Sequence, residues 1–164
     1  MKYIKKLIYV LLLTVATQVA TAQIKILYGP YLQNVKENEA TIFWVADKPS
    51  IGWVELAPDD GTHYYGEERP KYFDTTNGVK NTSLLHAVKV KALTPGTTYR
   101  YRIYAQEVLS HEGINVIYGR VAASDVYKKK ALTFTTGDPD KKETSFAMIN
   151  DIHGRENIIT KLLN

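Results

Sequence analysis

Leu93-Thr94-Pro95-Gly96-Thr97-Thr98-Tyr99 joins two stretches that both alternate with period two. Upstream, residues 85–91 read LHAVKVK, a strand expected to turn Leu85, Ala87, Val88 and Val90 mostly inward. Downstream, residues 98–104 place Tyr99, Tyr101 and Ile103 on one face, with Arg100 and Arg102 between them. Short strands separated by turn residues recur along the chain. Residues 24–28 alternate up to Gly29-Pro30. Residues 40–45 (ATIFWV) are rich in the β-branched and aromatic side chains that suit a pleated, half-buried surface. Asp47-Lys48-Pro49-Ser50 reads as a turn before a further strand at 51–56, and Asp59-Asp60-Gly61 as another. The pattern weakens over 63–82, which reads as a long loop or an edge hairpin. A final strand is expected at 131–136. Short strands at regular spacing with turn residues between them predict an antiparallel sandwich.

The 93–99 segment resembles the leucine, proline, threonine and tyrosine turn of fibronectin type III domains. That resemblance implies an inward leucine, a Pro-Gly turn and a tyrosine hydroxyl bonded back to the preceding loop, the tyrosine corner of sandwich folds. Trp44 stands where the family has its core tryptophan, and Phe134-Thr135-Thr136 resembles its final strand. The likeness covers about residues 24–136 and concerns fold; one sandwich hosts many functions.

Beyond the sandwich, at 23–136, the character of the chain changes. Residues 137–143 (GDPDKKE) lack apolar content and read as a linker. Residues 144–150 (TSFAMIN) form a near-continuous apolar run of the kind buried on both faces of a parallel sheet. Ile158, Ile159, Leu162 and Leu163 then recur at helical spacing. Strand, short loop and helix predict the opening of an incomplete α/β domain over 144–164, so the whole is mainly β with an α/β start. Asp151 and His153 fall just past the strand end, where open α/β folds bind ligands. Two residues apart in extended chain, they point to the same side. A carboxylate and a neutral imidazole suit zinc, manganese or iron, and both are candidate metal ligands.

Asn150-Asp151-Ile152-His153-Gly154 resembles the first motif of calcineurin-like metallophosphoesterases. Purple acid phosphatase-like members of that group carry a fibronectin-like sandwich before the catalytic domain, and residues 29–44 (GPYLQNVKENEATIFW) resemble its opening. Purple acid phosphatases carry glycine where His153 stands, so the motif is nearer the general metallophosphoesterase form. The resemblance implies that Asp151 and His153 bind the first of two metal ions (zinc, manganese or iron). A bridging water made nucleophilic there would hydrolyse a phosphate-ester substrate. The remaining ligands would come from downstream motifs that this stretch does not hold, so the fragment by itself is expected to be inactive.

The flanking chemistry bounds what else is possible. There is no cysteine, so neither disulfides nor thiolate-bound zinc enter. Residues 1–22 have a cationic start (Lys2, Lys5, Lys6), an apolar core over 7–16 and small residues at 20–22. They read as a secretory signal peptide, which makes the protein secreted or periplasmic and gives it no stable membrane anchor. Without those three lysines the formal charge of +4 falls to about +1, which removes the main support for a nucleic-acid partner. Lys128-Lys129-Lys130 reads as a solvated loop or strand edge. His63, His86 and His111 lack ligand-like neighbours and read as surface or strand residues. The alternative function is a secreted or cell-surface binding module without catalysis. In that case some of the twelve tyrosines stack on carbohydrate or contact protein; otherwise they pack the sandwich and keep their hydroxyls wet.

Overall fold

The computed structural model describes residues 22–126 and 129–143. It contains strands β1 (Ile26–Gln33), β2 (Glu39–Pro58), β3 (Lys71–Phe73), β4 (Thr75–Thr76), β5 (Val79–Lys80), β6 (Ser83–Lys91), β7 (Thr98–Glu112), β8 (Asn115–Ala123) and β9 (Leu132–Thr135). Every strand pairing is antiparallel. Among the described residues there is no helix. Residues 1–21 of the expected signal peptide and the expected α/β start at 144–164 lie outside the described residues.

β2 organises the molecule. Its first half lies between β1 and β6, with Ile42 opposite Leu32 and Val88. Its second half lies between β3 and β7, with Trp53 opposite Phe73 and Tyr104. One strand thereby serves two layers, and the seven-stranded sheet curls on itself. The layers meet in a core of Ala40, Ile42, Trp44, Val88 and Val90 from one side. Val54, Leu56, Tyr99, Tyr101, Ile103 and Phe134 come from the other. The result is a β-sandwich.

Three strand expectations need correction. Residues 47–50 do not reverse the chain; they carry β2 from one layer to the other. The register slips between Val45 and Ser50, and Asp47 both accepts from and donates to the Lys25 backbone (2.7 and 3.0 Å). Pro49, which has no N–H for a ladder, sits where the strand changes partners. Secondly, β1 does not stop at Gly29-Pro30 but runs through it with a register shift. Gly29 has φ +89°, and a Cβ there would lie 2.8 Å from the Phe43 carbonyl oxygen, so only glycine fits. Thirdly, in β6 the buried side chains are His86, Val88 and Val90, while Leu85 and Ala87 face out with Lys89. Period two admits one parity per face, and the parity holding both valines is the one that goes inside.

The 93–99 segment is built as a tyrosine corner. Leu93 is buried, Gly96 has φ +63°, and the Thr94 N–H donates to Tyr99 Oη at 2.8 Å. The chain then leaves the sandwich at a fixed point. Thr136 Oγ1 donates to the Thr94 carbonyl (2.7 Å) and accepts from the Thr97 N–H (2.9 Å). Gly137 donates to Lys36 O and accepts from the Gly96 N–H, both at 2.9 Å. Residues 63–82 hold a loop as expected, but the hairpin in this stretch is a separate two-stranded sheet and not an edge of the sandwich. A loop leads to edge strand β3, and β4 and β5 form a small hairpin about Asn77-Gly78, both at positive φ. The hairpin of β7 and β8 turns at Gly113-Ile114 and carries exposed Leu109 and Ile117, so little burial marked it in the sequence.

Candidate functional site

Asp151 and His153, the expected metal ligands, lie outside the described residues. Among the described residues no group of three or more His, Asp or Glu side chains is placed to hold a metal ion. One carboxylate and one imidazole are two donors, whereas a tight zinc-type site takes about four.

What the structure does bring together is a serine, a histidine and an aspartate at the point where β2 changes layers. Ser50 sits at the start of the second half of β2, His86 on the inward parity of β6, and Asp74 just after β3. His86 Nε2 lies 2.9 Å from Ser50 Oγ, and Nδ1 lies 3.2 Å from Asp74 Oδ2. An ionised Asp74 can only accept, so Nδ1–H donates to it, leaving Nε2 to accept from the serine hydroxyl. Asp74 Oδ1 accepts from Asn81 Nδ2 at 2.8 Å, and the Asp74 N–H donates to Gly52 O at 2.9 Å. The order of groups is that of a hydrolase triad, but the setting is not. Ser50 and His86 have no exposed surface, and Trp44 covers the imidazole with ring centres 5.0 Å apart. A nucleophile no substrate can reach does no covalent chemistry, so this is a structural relay tying β2, β3 and β6 together. Burial lowers the His86 pKa from its usual 6.5, outweighing the opposing pull of Asp74. The sequence marked His86 only by its phase with Val88 and Val90.

The second assembly is solvent-facing. Outward positions of β7 carry Arg100, Arg102 and Tyr104, and those of β2 carry Trp53 and Glu55. Trp53 and Tyr104, directly opposite in register, stack with ring centres 4.9 Å apart and planes at 1°. The loop over residues 59–70 folds back across this face. Tyr64 Oη donates to the Glu55 carbonyl (2.9 Å), Arg69 Nε to the Tyr64 carbonyl (2.7 Å), and Arg100 Nη1 to the Thr62 carbonyl (2.8 Å). Tyr65 is left 55% exposed at the rim, edge-on to Tyr64. Burial first, then the nearby Glu55, raises the Tyr64 and Tyr104 phenols well above their usual range, so both remain neutral donors. Tyr64 and Tyr65 lie in the stretch without periodicity, so no pattern in the sequence pointed to them.

No protein-family model matches the chain, and no curated protein does. Among solved structures it is similar to a computationally redesigned β-sandwich protein, at 19% identity and a TM-score of 0.41, over 71% of this chain and 97% of that one. It is also similar to the sensor domain of the anti-sigma factor RsgI4 from Pseudobacteroides cellulosolvens. There the identity is 16% and the TM-score 0.36, over 76% of this chain and 98% of that one. Likeness at this level says nothing about what the chain does.

Proposed function

We propose that the sandwich is the accessory unit of an exported, metal-dependent phosphoesterase, of which residues 144–164 open the catalytic part. The observation that carries this reading is Asn150-Asp151-Ile152-His153-Gly154, placed after an apolar run, a seven-residue linker and a fibronectin-like sandwich. Asp151 would give a carboxylate oxygen and His153 an imidazole nitrogen to the first metal, with further donors supplied from outside the sandwich. A pair of such ions supplies charge to clamp a phosphate ester and an activated water. The sandwich contributes no reacting group in this reading; it holds the start of the catalytic part at a defined exit.

The test is a chain extended downstream, assayed on a generic phosphomonoester with zinc, manganese or iron. We expect metal-dependent hydrolysis that Asp151→Ala lowers by about a hundredfold or more, the scale expected when a ligand to a catalytic metal is lost. Hydrolysis indifferent to both the metal and Asp151 would remove the reading.

A further inference from the structure

The loop at 59–70 and the outer face of β7 enclose a cleft of about 250 Å³. Its polar walls are Tyr64, Tyr65, Tyr101, Arg100, Arg102 and Lys129, with aliphatic side chains between; among the described residues no carboxylate lines it. Two of the three cations are already matched. Arg100 lies 3.3 Å from Asp59 Oδ1 and 3.4 Å from Asp60 Oδ1, and Lys129 lies 3.0 Å from Asp125 Oδ2. Arg102 has no acidic partner among the described residues.

Its natural counter-charge is diverted. Glu55 stands directly opposite Arg102 in register, the arrangement in which an opposite-charge pair usually forms. Yet Glu55 Oε2 accepts the Tyr104 hydroxyl at 2.8 Å, and Oε1 faces Trp53 Nε1 at 3.4 Å. The Arg102 guanidinium is held all the same. Nη1 donates to Tyr65 Oη, Nη2 donates to Ser124 O at 2.9 Å, and its carbon lies 5.6 and 5.2 Å from the ring centres of Tyr65 and Tyr104. Nε is buried without a partner among the described residues. A guanidinium fixed between two rings, with spare N–H groups and no acidic partner among the described residues, is prearranged for an oxyanion. The exposed Tyr65 ring at the rim adds a flat apolar face, and the volume suits a single sugar ring rather than a larger ligand.

We propose that this cleft binds one acidic sugar residue, its carboxylate, sulfate or phosphate on Arg102 and its ring against Tyr65. Binding is expected to weaken as salt rises, because the attraction is partly between exposed charges. Titration calorimetry of the 164-residue chain, with no metal present, tests this against galacturonate oligomers, glucose 6-phosphate, glucose and inorganic phosphate. At least one of the two acidic sugars should bind, and glucose should not. Arg102→Gln should weaken that binding at least tenfold, Arg102→Lys less, and Tyr65→Ala several-fold. Tyr65 is exposed enough that its variant tests the site even if Arg102→Gln does not fold. Inorganic phosphate binding as tightly as the sugars would overturn the role of the ring. The site fails outright if neither acidic sugar binds, or if binding is unchanged in both Tyr65→Ala and Arg102→Gln. The test involves no hydrolysis, so its outcome is separate from that of the phosphoesterase reading.

Discussion

At Gly52 the absence of a side chain is a packing requirement. A Cβ there would lie 2.5 Å from His86 Nδ1, 2.6 Å from His86 Cγ and 2.7 Å from Trp44 Cζ2. Neither ring can swing aside cheaply: the imidazole is held by Ser50 and Asp74, and Trp44 is fully enclosed. Gly52→Ala is therefore expected to destabilise by roughly 1–3 kcal/mol as overpacking, more if the His86 bonds break as well. Urea unfolding measures it; a loss under about 0.5 kcal/mol, the level of an ordinary surface change, would mean the relay yields freely. None of this could be read from the residue string, where Gly52 is one glycine in an apolar run. Tyr99 is the opposite case. Its hydroxyl bond to Thr94 N–H is local, so the seven residues that make it also announce it.

β6 separates what an element's pattern reveals from what it hides. Its alternation identified a strand, but LHAVKVK has apolar residues in both parities, and only pairing with β2 fixes which set is inside. Val88→Ala should cost roughly 2 kcal/mol through lost burial and a cavity. Leu85→Ser should stay within about 0.5 kcal/mol, because that side chain is 52% exposed. Equal losses in thermal or urea unfolding would return Leu85 to the interior. The same reasoning explains β2 and the hairpin of β7 and β8. Asp47-Lys48-Pro49-Ser50 has the composition of a turn, yet its role is set by which strands flank it, which is tertiary information. Residues 105–121 alternate weakly because much of the hairpin is wet on both faces, and without burial there is no period to read. The loop at 59–70 is ordered by tyrosine and arginine bonds to distant backbone, so its cleft had no sequence signature. Asp151 and His153 could be proposed as ligands for the contrary reason: two residues so near in sequence after an apolar run form a motif that needs no fold to be noticed.

Across the whole molecule, acidity should act first through the relay, because it ties three strands at the crossing between layers. Two effects compete at His86. Asp74, just after β3 and the one charged group bonded to the ring among the described residues, favours imidazolium, although the 3.2 Å contact is long for a charged pair. Enclosure opposes it, with Ser50, Gly52 and Trp44 adding only neutral groups around the ring. Enclosure prevails, so the folded pKa lies below the unfolded value near 6.5. Between those two values the unfolded chain binds the extra proton, and stability therefore rises with pH there. The contribution is complete above about 6.5 and is lost as pH falls below it. Exposed carboxylates add only a later decline. Glu39, lowered chiefly by its bond from Lys36, and Asp60, lowered chiefly by Thr62, lose theirs below their ordinary 4.5 and 3.8. Urea midpoints should thus be level from pH 8 to about 6.5 and drop toward pH 5. His86→Gln should be less stable throughout but flat over that window. A wild-type chain that instead gains stability on mild acidification would show that Asp74 outweighs enclosure, and that the relay is an ion pair rather than a neutral chain of hydrogen bonds.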